Sequence, residues 1–173
     1  ELAFYITKYG YLAIFSLVFF QEIGVPNPVP NELVLLFSGY LASVNVLSFP
    51  LLFLIAVLAD FIGTTLLYVV FYFFGAYLFN KKPKWLPISR EKVEKLAERI
   101  SKKGQWGIFL GRLIPYVRGY TSVAAGILRI KPRIYLFAVI ASAITWSGGY
   151  VIAGKLFGPY WQNVAKELGG IQQ

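Results

Sequence analysis

The chain has 173 residues, of which 57% are apolar, 18% are aromatic and only 14% are charged. Soluble domains carry about a quarter charged residues, so this composition argues against one and indicates a membrane protein. Cysteine, histidine and methionine are all absent, which excludes disulfides, thiolate zinc sites, cysteine nucleophiles and histidine bases. Most enzyme classes are therefore disfavoured, and we expect neither a metal ion nor another cofactor.

Charged residues are nearly absent from the long apolar tracts. Asp60 is the only charged residue between positions 33 and 80, and this tract far exceeds the roughly 20 residues that cross a bilayer once. We therefore predict an all-α polytopic membrane protein that forms a single domain over residues 1–173. Its full transmembrane helices are predicted at residues 50–79 and 134–157.

One stretch in the middle of the chain is clearly hydrophilic. Residues 81–103 contain nine Lys or Arg and three Glu, so the positive-inside rule places them in the cytoplasm. Within this stretch, apolar residues at helical spacing predict a cytoplasmic amphipathic helix over residues 89–103, lying on the membrane surface with Ser89 as its N-cap. Anionic lipid headgroups account for its basic face, so we expect no nucleic-acid partner.

Two breaks that contain proline divide the remaining apolar tracts. The first, residues 24–32, has prolines at three alternate positions, which a helix interior does not accept. The second, residues 115–121, also interrupts two short apolar flanks. Because each flank is about half a span long, we predict re-entrant helical hairpins at residues 10–42 and 106–128. Ordinary transmembrane helices kinked by proline are the alternative.

The order of these elements is a two-fold internal pattern of hairpin plus transmembrane helix. With the basic segment in the cytoplasm, the second hairpin (residues 106–128) opens toward the cytoplasm and the first (residues 10–42) opens toward the outside. Three basic residues within residues 129–133 agree with this orientation. We therefore predict an inverted repeat, an architecture associated with alternating access around a site at the membrane midplane.

Ionisable residues of opposite sign flank the two breaks. Glu22 and Glu32 lie beside the first, whereas Arg112 and Arg118 lie beside the second. An unpaired charge at membrane depth is costly, so the hairpin tips should meet and their charges should pair. Asp60, ten residues into its predicted helix, also needs a partner or a proton. These groups could receive an anionic headgroup and carry protons, or they could serve only as ion pairs that lock the fold.

Three blocks of residues form a specific pattern over most of the chain. They are Glu22, Gly24, Pro26, Pro28 and Glu32; Asp60, Gly63, Tyr68 and Gly75; and Gly111-Arg112-x-x-Pro115-x-x-Arg118 followed by Ala125-Gly126 and Trp146. In these blocks the chain resembles the DedA family, also called the SNARE-associated or VTT-domain family, from about Tyr9 to Trp146. It departs from the family pattern at Asn31, where glycine is usual, and at Ser142 and its neighbours, where the family often has asparagine.

The resemblance implies a membrane protein that moves lipids between leaflets. Family members are linked to recycling of undecaprenyl phosphate and to phospholipid flipping, often with dependence on the proton-motive force, and eukaryotic relatives are scramblases. The resemblance also implies functional roles for Glu22, Glu32, Asp60, Arg112 and Arg118. We predict that Arg112, Arg118, Glu22 and Glu32 bind the substrate and that Glu22, Glu32 and Asp60 exchange protons.

Together these observations predict a lipid transporter, not an enzyme, in the cytoplasmic (inner) cell membrane with several passes. The substrate would be an anionic membrane lipid, either a polyprenyl phosphate such as undecaprenyl phosphate or a phospholipid, and protons and a homo-oligomer are further candidate partners. The alternatives are an uncoupled scramblase, a structural or assembly protein, an ion transporter, and a metal-dependent phosphatase or lipid transferase.

Overall fold

The computed structural model describes residues 2–81 and 89–170, with side chains for residues 7–81, 89–160 and Asn163. Every regular element in these ranges is helical, in agreement with the predicted all-α class. The elements are α1 (Leu2–Glu22), α2 (Asn31–Ser43), α3 (Phe49–Lys81), α4 (Arg90–Lys103), α5 (Gln105–Arg112), α6 (Arg118–Ile127), α7 (Pro132–Ala143), a π-helical turn (Ile144–Gly148) and α8 (Gly149–Gly170). The part of the basic segment at residues 82–88 lies outside the described residues.

Two helices are long and apolar enough to cross a bilayer. Helix α3 has 33 residues and contains an 18-residue stretch with a mean hydropathy of 2.2, and the continuous helix Pro132–Tyr160 has 29 residues and contains such a stretch with a mean hydropathy of 1.7. Each exceeds the roughly 20 residues that a crossing requires. Large apolar side chains such as Phe73 and Phe137 point outward, at 68% and 77% exposure, as in a protein surrounded by lipid.

The first break covers residues 23–30, between α1 and α2. Helix α1 ends in a Schellman-type cap, in which the N–H of Val25 donates to the carbonyl of Phe20 at 2.9 Å and Gly24 has φ of +92°. Helix α1 differs from the short limb that we predicted from about residue 10. It has 21 residues, about 31 Å at 1.5 Å per residue, because nothing in the preceding sequence ends a helix and a single glycine at Gly10 is tolerated.

The second break covers residues 113–117, between α5 and α6. Its two limbs are short, with 8 residues in α5 and 10 in α6. Pro115 lies in the break, and Tyr116 takes a left-handed backbone conformation with φ of +64°. The limbs approach closely at Gly111, where an added Cβ would be 2.7 Å from the Thr121 hydroxyl. The structure therefore has one long and one short limb at the first break, and two short limbs at the second.

Helix α4 buries its apolar face inside the protein. Val93, Leu96 and Ile100 are at most 4% exposed and pack in the same core as α5 and α6. The protein itself therefore covers the apolar face of the predicted membrane-surface helix, while the basic residues stay on the outer side. The predicted N-cap, Ser89, precedes the helix but makes no capping hydrogen bond through its side chain.

Helix α3 connects two apolar cores. Its first half, with Leu52 and Ala56, packs with α1, α2 and α8, and its second half, with Leu67 and Phe71, packs with α4 to α7. Residues 60–64 of α3 lie between these two halves. The fold thus places Asp60 at the boundary of the two cores, where both breaks also come together.

Candidate functional site

Four buried charged side chains meet beside the middle of α3. Glu22 comes from the end of α1, Asp60 from α3, Arg112 from the end of α5 and Arg118 from the start of α6. Asp60 and Arg112 are 0% exposed, and Glu22 and Arg118 are 5% and 8% exposed. The predicted pairing of opposite charges from the two breaks is therefore present. We call these four residues the ion cluster.

Asp60 is the centre of the ion cluster. Its Oδ1 accepts hydrogen bonds from Arg112 Nη2 and, at 3.2 Å, from the Thr64 hydroxyl, while its Oδ2 accepts from Arg118 Nη2 at 2.8 Å and from the Ser147 hydroxyl at 2.7 Å. Four donors thus surround one carboxylate. A buried carboxylate is tolerated when it has cationic partners and its lone pairs are satisfied, and both conditions hold here.

Glu22 holds the same two arginines from the side of the first break. Its Oε1 is 3.3 Å from Arg118 Nη2 and its Oε2 is 3.9 Å from Arg112 Nη1. Asn31 donates to Oε1 at 3.1 Å, and the Thr64 hydroxyl is 3.1 Å from Oε2. With two arginines and two carboxylates, the ion cluster is neutral as a unit. Within the described residues, no three acidic side chains come together as a metal site would require.

Hydroxyl groups that the sequence analysis did not select complete the ion cluster. Arg112 donates from Nε to the Ser142 hydroxyl at 2.7 Å and from Nη1 to the Thr64 hydroxyl at 3.0 Å. Tyr135 fixes α3 here, because its phenol donates to the backbone carbonyl of Thr64 at 3.0 Å. Thr64 could have been found from its spacing, since it follows Asp60 by four residues on one helical face. Ser142 has a different signal, because it lies where the DedA family often has asparagine.

A cavity of about 620 Å³ with charged and polar residues in its wall lies between the two breaks. Its wall includes Glu22, Asn27, Glu32, Tyr116 and Arg118. Tyr116 is 90% exposed, so the cavity reaches the protein surface at this residue. We call it the tip cavity, because it lies between the break that joins α1 to α2 and the break that joins α5 to α6.

The predicted site residues are placed differently around the tip cavity. Glu32 is half-buried in its wall and forms no ion pair with any described residue. Arg118 also lies in the wall, and its Nε is buried without a hydrogen-bond partner in the described part of the chain. Arg112, in contrast, is fully buried behind Asp60, with its N–H groups bound to protein side chains. Of the two arginines, Arg118 is therefore the one with a donor to offer.

The ring of Trp146 packs against the guanidinium of Arg118. The guanidinium carbon lies 4.9 Å from the ring centroid, a cation–π contact. Trp146 and its neighbour Ser147, which donates to Asp60, both belong to the π-helical turn. Such turns are frequent at functional sites, and here the turn directs two consecutive residues toward the ion cluster.

Comparison with known proteins identifies the family. The VTT domain family matches residues 29–156, most of the chain. Undecaprenyl phosphate transporter A of Staphylococcus aureus is 28% identical over 87% of this chain and 75% of its own length. An uncharacterized membrane protein of Mycobacterium leprae is 32% identical over 89% and 71%, and protein DedA of Escherichia coli is 29% identical over 91% and 74%. No solved structure matches. The predicted resemblance is confirmed, and the chain belongs to the VTT-domain family of membrane proteins, which includes DedA.

Proposed function

We propose that this protein transports a lipid with an anionic headgroup between the leaflets of the cytoplasmic membrane, and that the tip cavity is its headgroup site. The observation that carries this proposal is Arg118, a residue of the cavity wall whose guanidinium has a buried N–H without a partner among the described residues. A buried donor without an acceptor costs about 1–3 kcal/mol. We infer that a phosphate or similar anion in the cavity binds the Arg118 guanidinium and supplies that acceptor, in the paired geometry that guanidinium groups favour.

The backbone adds to the attraction for an anion. Helices α2 and α6 both begin at the tip cavity, where Pro30 and Gly119 line the wall. A helix N-terminus carries partial positive charge and free N–H groups, both of which stabilise anions. Two such ends beside Arg118 favour a negatively charged ligand in this cavity.

Glu32 supports coupling of lipid movement to protons. Because the ion cluster is neutral as a unit, an ionised Glu32 makes the tip cavity negative and opposes an anion there. We infer that Glu32 takes up a proton when the headgroup binds and releases it afterwards. Glu22 and Asp60, which the sequence also suggested as proton carriers, are bound to arginines, so their proposed role is to hold these in place.

The relatives favour a polyprenyl phosphate as the substrate. The Staphylococcus aureus relative is named for transport of undecaprenyl phosphate, and one phosphate monoester suits a cavity with one available arginine. We propose transport instead of catalysis, because the carboxylates of the ion cluster are already bound to arginines and are not available as metal ligands or nucleophiles.

In the proposed topology, the pair α1–α2 and the pair α5–α6 enter the membrane from opposite sides. Helices α2, α5 and α6 have 13, 8 and 10 residues, too short for a full crossing, which supports re-entrant limbs. Helix α4 keeps its basic residues outward and would face the cytoplasm. The pattern of helix pair followed by long helix would then be an inverted repeat around the ion cluster.

Translocation in proteoliposomes tests this function. A fluorescent polyprenyl phosphate would be reconstituted with the protein, and its arrival in the outer leaflet would be followed with a membrane-impermeant quencher, with and without a pH gradient. We expect Arg118→Gln to slow translocation by about 10- to 150-fold, the equivalent of the 1.5–3 kcal/mol of a charged hydrogen bond. Arg133→Gln, at an exposed position on α7, is the matched control and should match the parent.

The pH gradient separates the mechanisms. Coupled transport requires a gradient effect in the parent that Glu32→Gln abolishes. If the parent moves the lipid at the same rate with and without the pH gradient, the protein is an uncoupled scramblase. If the folded parent moves no anionic lipid, or if Arg118→Gln and Arg133→Gln behave alike, the tip cavity is not a transport site and the ion cluster is a structural lock.

A further inference from the structure

An apolar groove runs along the outside of the protein between α1 and α2. It has a volume of about 600 Å³, and its wall includes Ala13, Leu17, Leu33, Phe37 and Leu41. Leu33 and Phe37 are 56% and 61% exposed. The groove therefore opens sideways, toward the region that lipid occupies around a membrane protein.

The chemistry of the groove suits a hydrocarbon chain. Ser38 is a polar residue in the wall, and its hydroxyl donates to the carbonyl of Val34 one turn earlier, at 2.5 Å. The backbone of both helices is also internally hydrogen-bonded. A peptide would bring backbone N–H and C=O groups that find no partners on such a surface, whereas a hydrocarbon chain brings none.

The groove and the tip cavity share one segment of chain as a common wall. Pro28 and Pro30 line the tip cavity, and Val29 between them lines the groove. Glu32 lines the cavity, and the next residue, Leu33, lines the groove. A molecule with a charged head in the cavity and an apolar chain in the groove would therefore cross only this one segment.

We propose that the groove between α1 and α2 binds the hydrocarbon chain of the lipid whose headgroup occupies the tip cavity. This inference rests on the proposed function and adds the position of a bound chain. The groove receives one hydrocarbon chain of that lipid. The chain would stay at the protein surface, and only the headgroup would pass through the polar interior.

Filling the groove tests this inference. Ala13 lines the groove and is exposed on α1, and Ala76 is exposed on α3 outside it, so Ala13→Phe and Ala76→Phe are matched changes. Affinity of the purified protein would be measured for a long polyprenyl phosphate and for a five-carbon isoprenyl phosphate that carries the same headgroup. We expect Ala13→Phe to weaken binding of the long lipid at least 10-fold and to leave the short one unchanged, while Ala76→Phe changes neither.

Several results would overturn it. The groove does not bind the chain if Ala13→Phe and Ala76→Phe give equal affinities for the long lipid, or if the parent binds long and short phosphates equally. If both phosphates lose affinity in Ala13→Phe, the change acts on the tip cavity instead. Ala13→Leu gives the same test with a smaller side chain should the Phe variant aggregate. A parent that binds neither phosphate refutes the headgroup site itself, which is a separate failure of the proposed function.

Discussion

Replacement of Asp60 by asparagine should strongly destabilise the fold. All four contacts of the Asp60 carboxylate are donors, so an amide in its place would direct its own N–H groups at two of them. The ion cluster would also change from neutral to a net charge of +1, with Glu22 as the remaining anion. Removing one partner of a buried ion pair typically costs about 3–5 kcal/mol, and the complete burial of Asp60 supports this range.

The loss can be measured as a shift in thermal stability. By the scaling of globular proteins of this size, 3–5 kcal/mol lowers the unfolding midpoint by about 6–20 °C. The assay is thermal unfolding of the purified protein in detergent, followed by the remaining monodisperse fraction. Glu94→Gln is the control, because it removes an exposed pair with Arg90 on α4, and surface pairs contribute little.

A double substitution separates the charge from the contacts. Adding Arg112→Gln to Asp60→Asn returns the ion cluster to neutrality. The loss of unfolding free energy in the double variant should therefore be smaller than the sum of the losses in the two single variants, by about 0.5–3 kcal/mol. The reasoning fails if Asp60→Asn has the same unfolding midpoint as the parent, or if the losses of stability from the two substitutions are additive. Either result would show that Asp60 and Arg112 do not stabilise each other as buried charges.

Four further substitutions test the packing and the surface electrostatics. Gly154→Val should abolish the monodisperse protein, since a Cβ there would overlap the backbone of α2, whereas Gly149→Ala, with open space around it, should be neutral or slightly stabilising. Tyr135→Phe should lose about 1 kcal/mol, seen as a midpoint about 2–4 °C lower, because a carbonyl of α3 loses its donor. A hydrogen bond from Lys102 lowers the pKa of Glu98, so its small stabilisation is present above the ordinary carboxyl pKa and lost as the pH falls through the lowered value. Glu98→Gln should be slightly less stable than the parent at pH 7, and this difference should shrink as the pH is lowered through the carboxyl range.

The sequence was most informative where a physical cost leaves few solutions. Alternating prolines cannot continue a helix, so the first break was located correctly. Charges at membrane depth need partners, and Glu22, Asp60, Arg112 and Arg118 do meet. In both cases the unfavourable alternative is several kcal/mol higher, and a local pattern is enough to predict the outcome.

The sequence was least informative where tertiary packing decides. The apolar face of α4 has the pattern of a membrane-surface helix, and only the position of α5 and α6 shows that protein covers it. Glu32 resembled the other charged residues, yet it has no ion pair in the described structure because it lies on the cavity side of α2. The π-helical turn Ile144–Gly148 is also invisible, since no residue type marks it.

The two arginines of the ion cluster should respond in opposite ways to replacement by lysine, because the protein satisfies one and leaves the other incomplete. Arg112→Lys keeps the charge but cannot reach Asp60, Thr64 and Ser142 together, as the guanidinium does. It should therefore lower the thermal midpoint strongly. Arg118→Lys should fold with a midpoint near the parent's, since an ammonium can still meet a carboxylate, but it loses the fork that binds a phosphate and should weaken binding of a polyprenyl phosphate about 10-fold or more. If instead both variants lose stability and keep their affinity, both arginines are structural and the unpartnered N–H of Arg118 has no ligand.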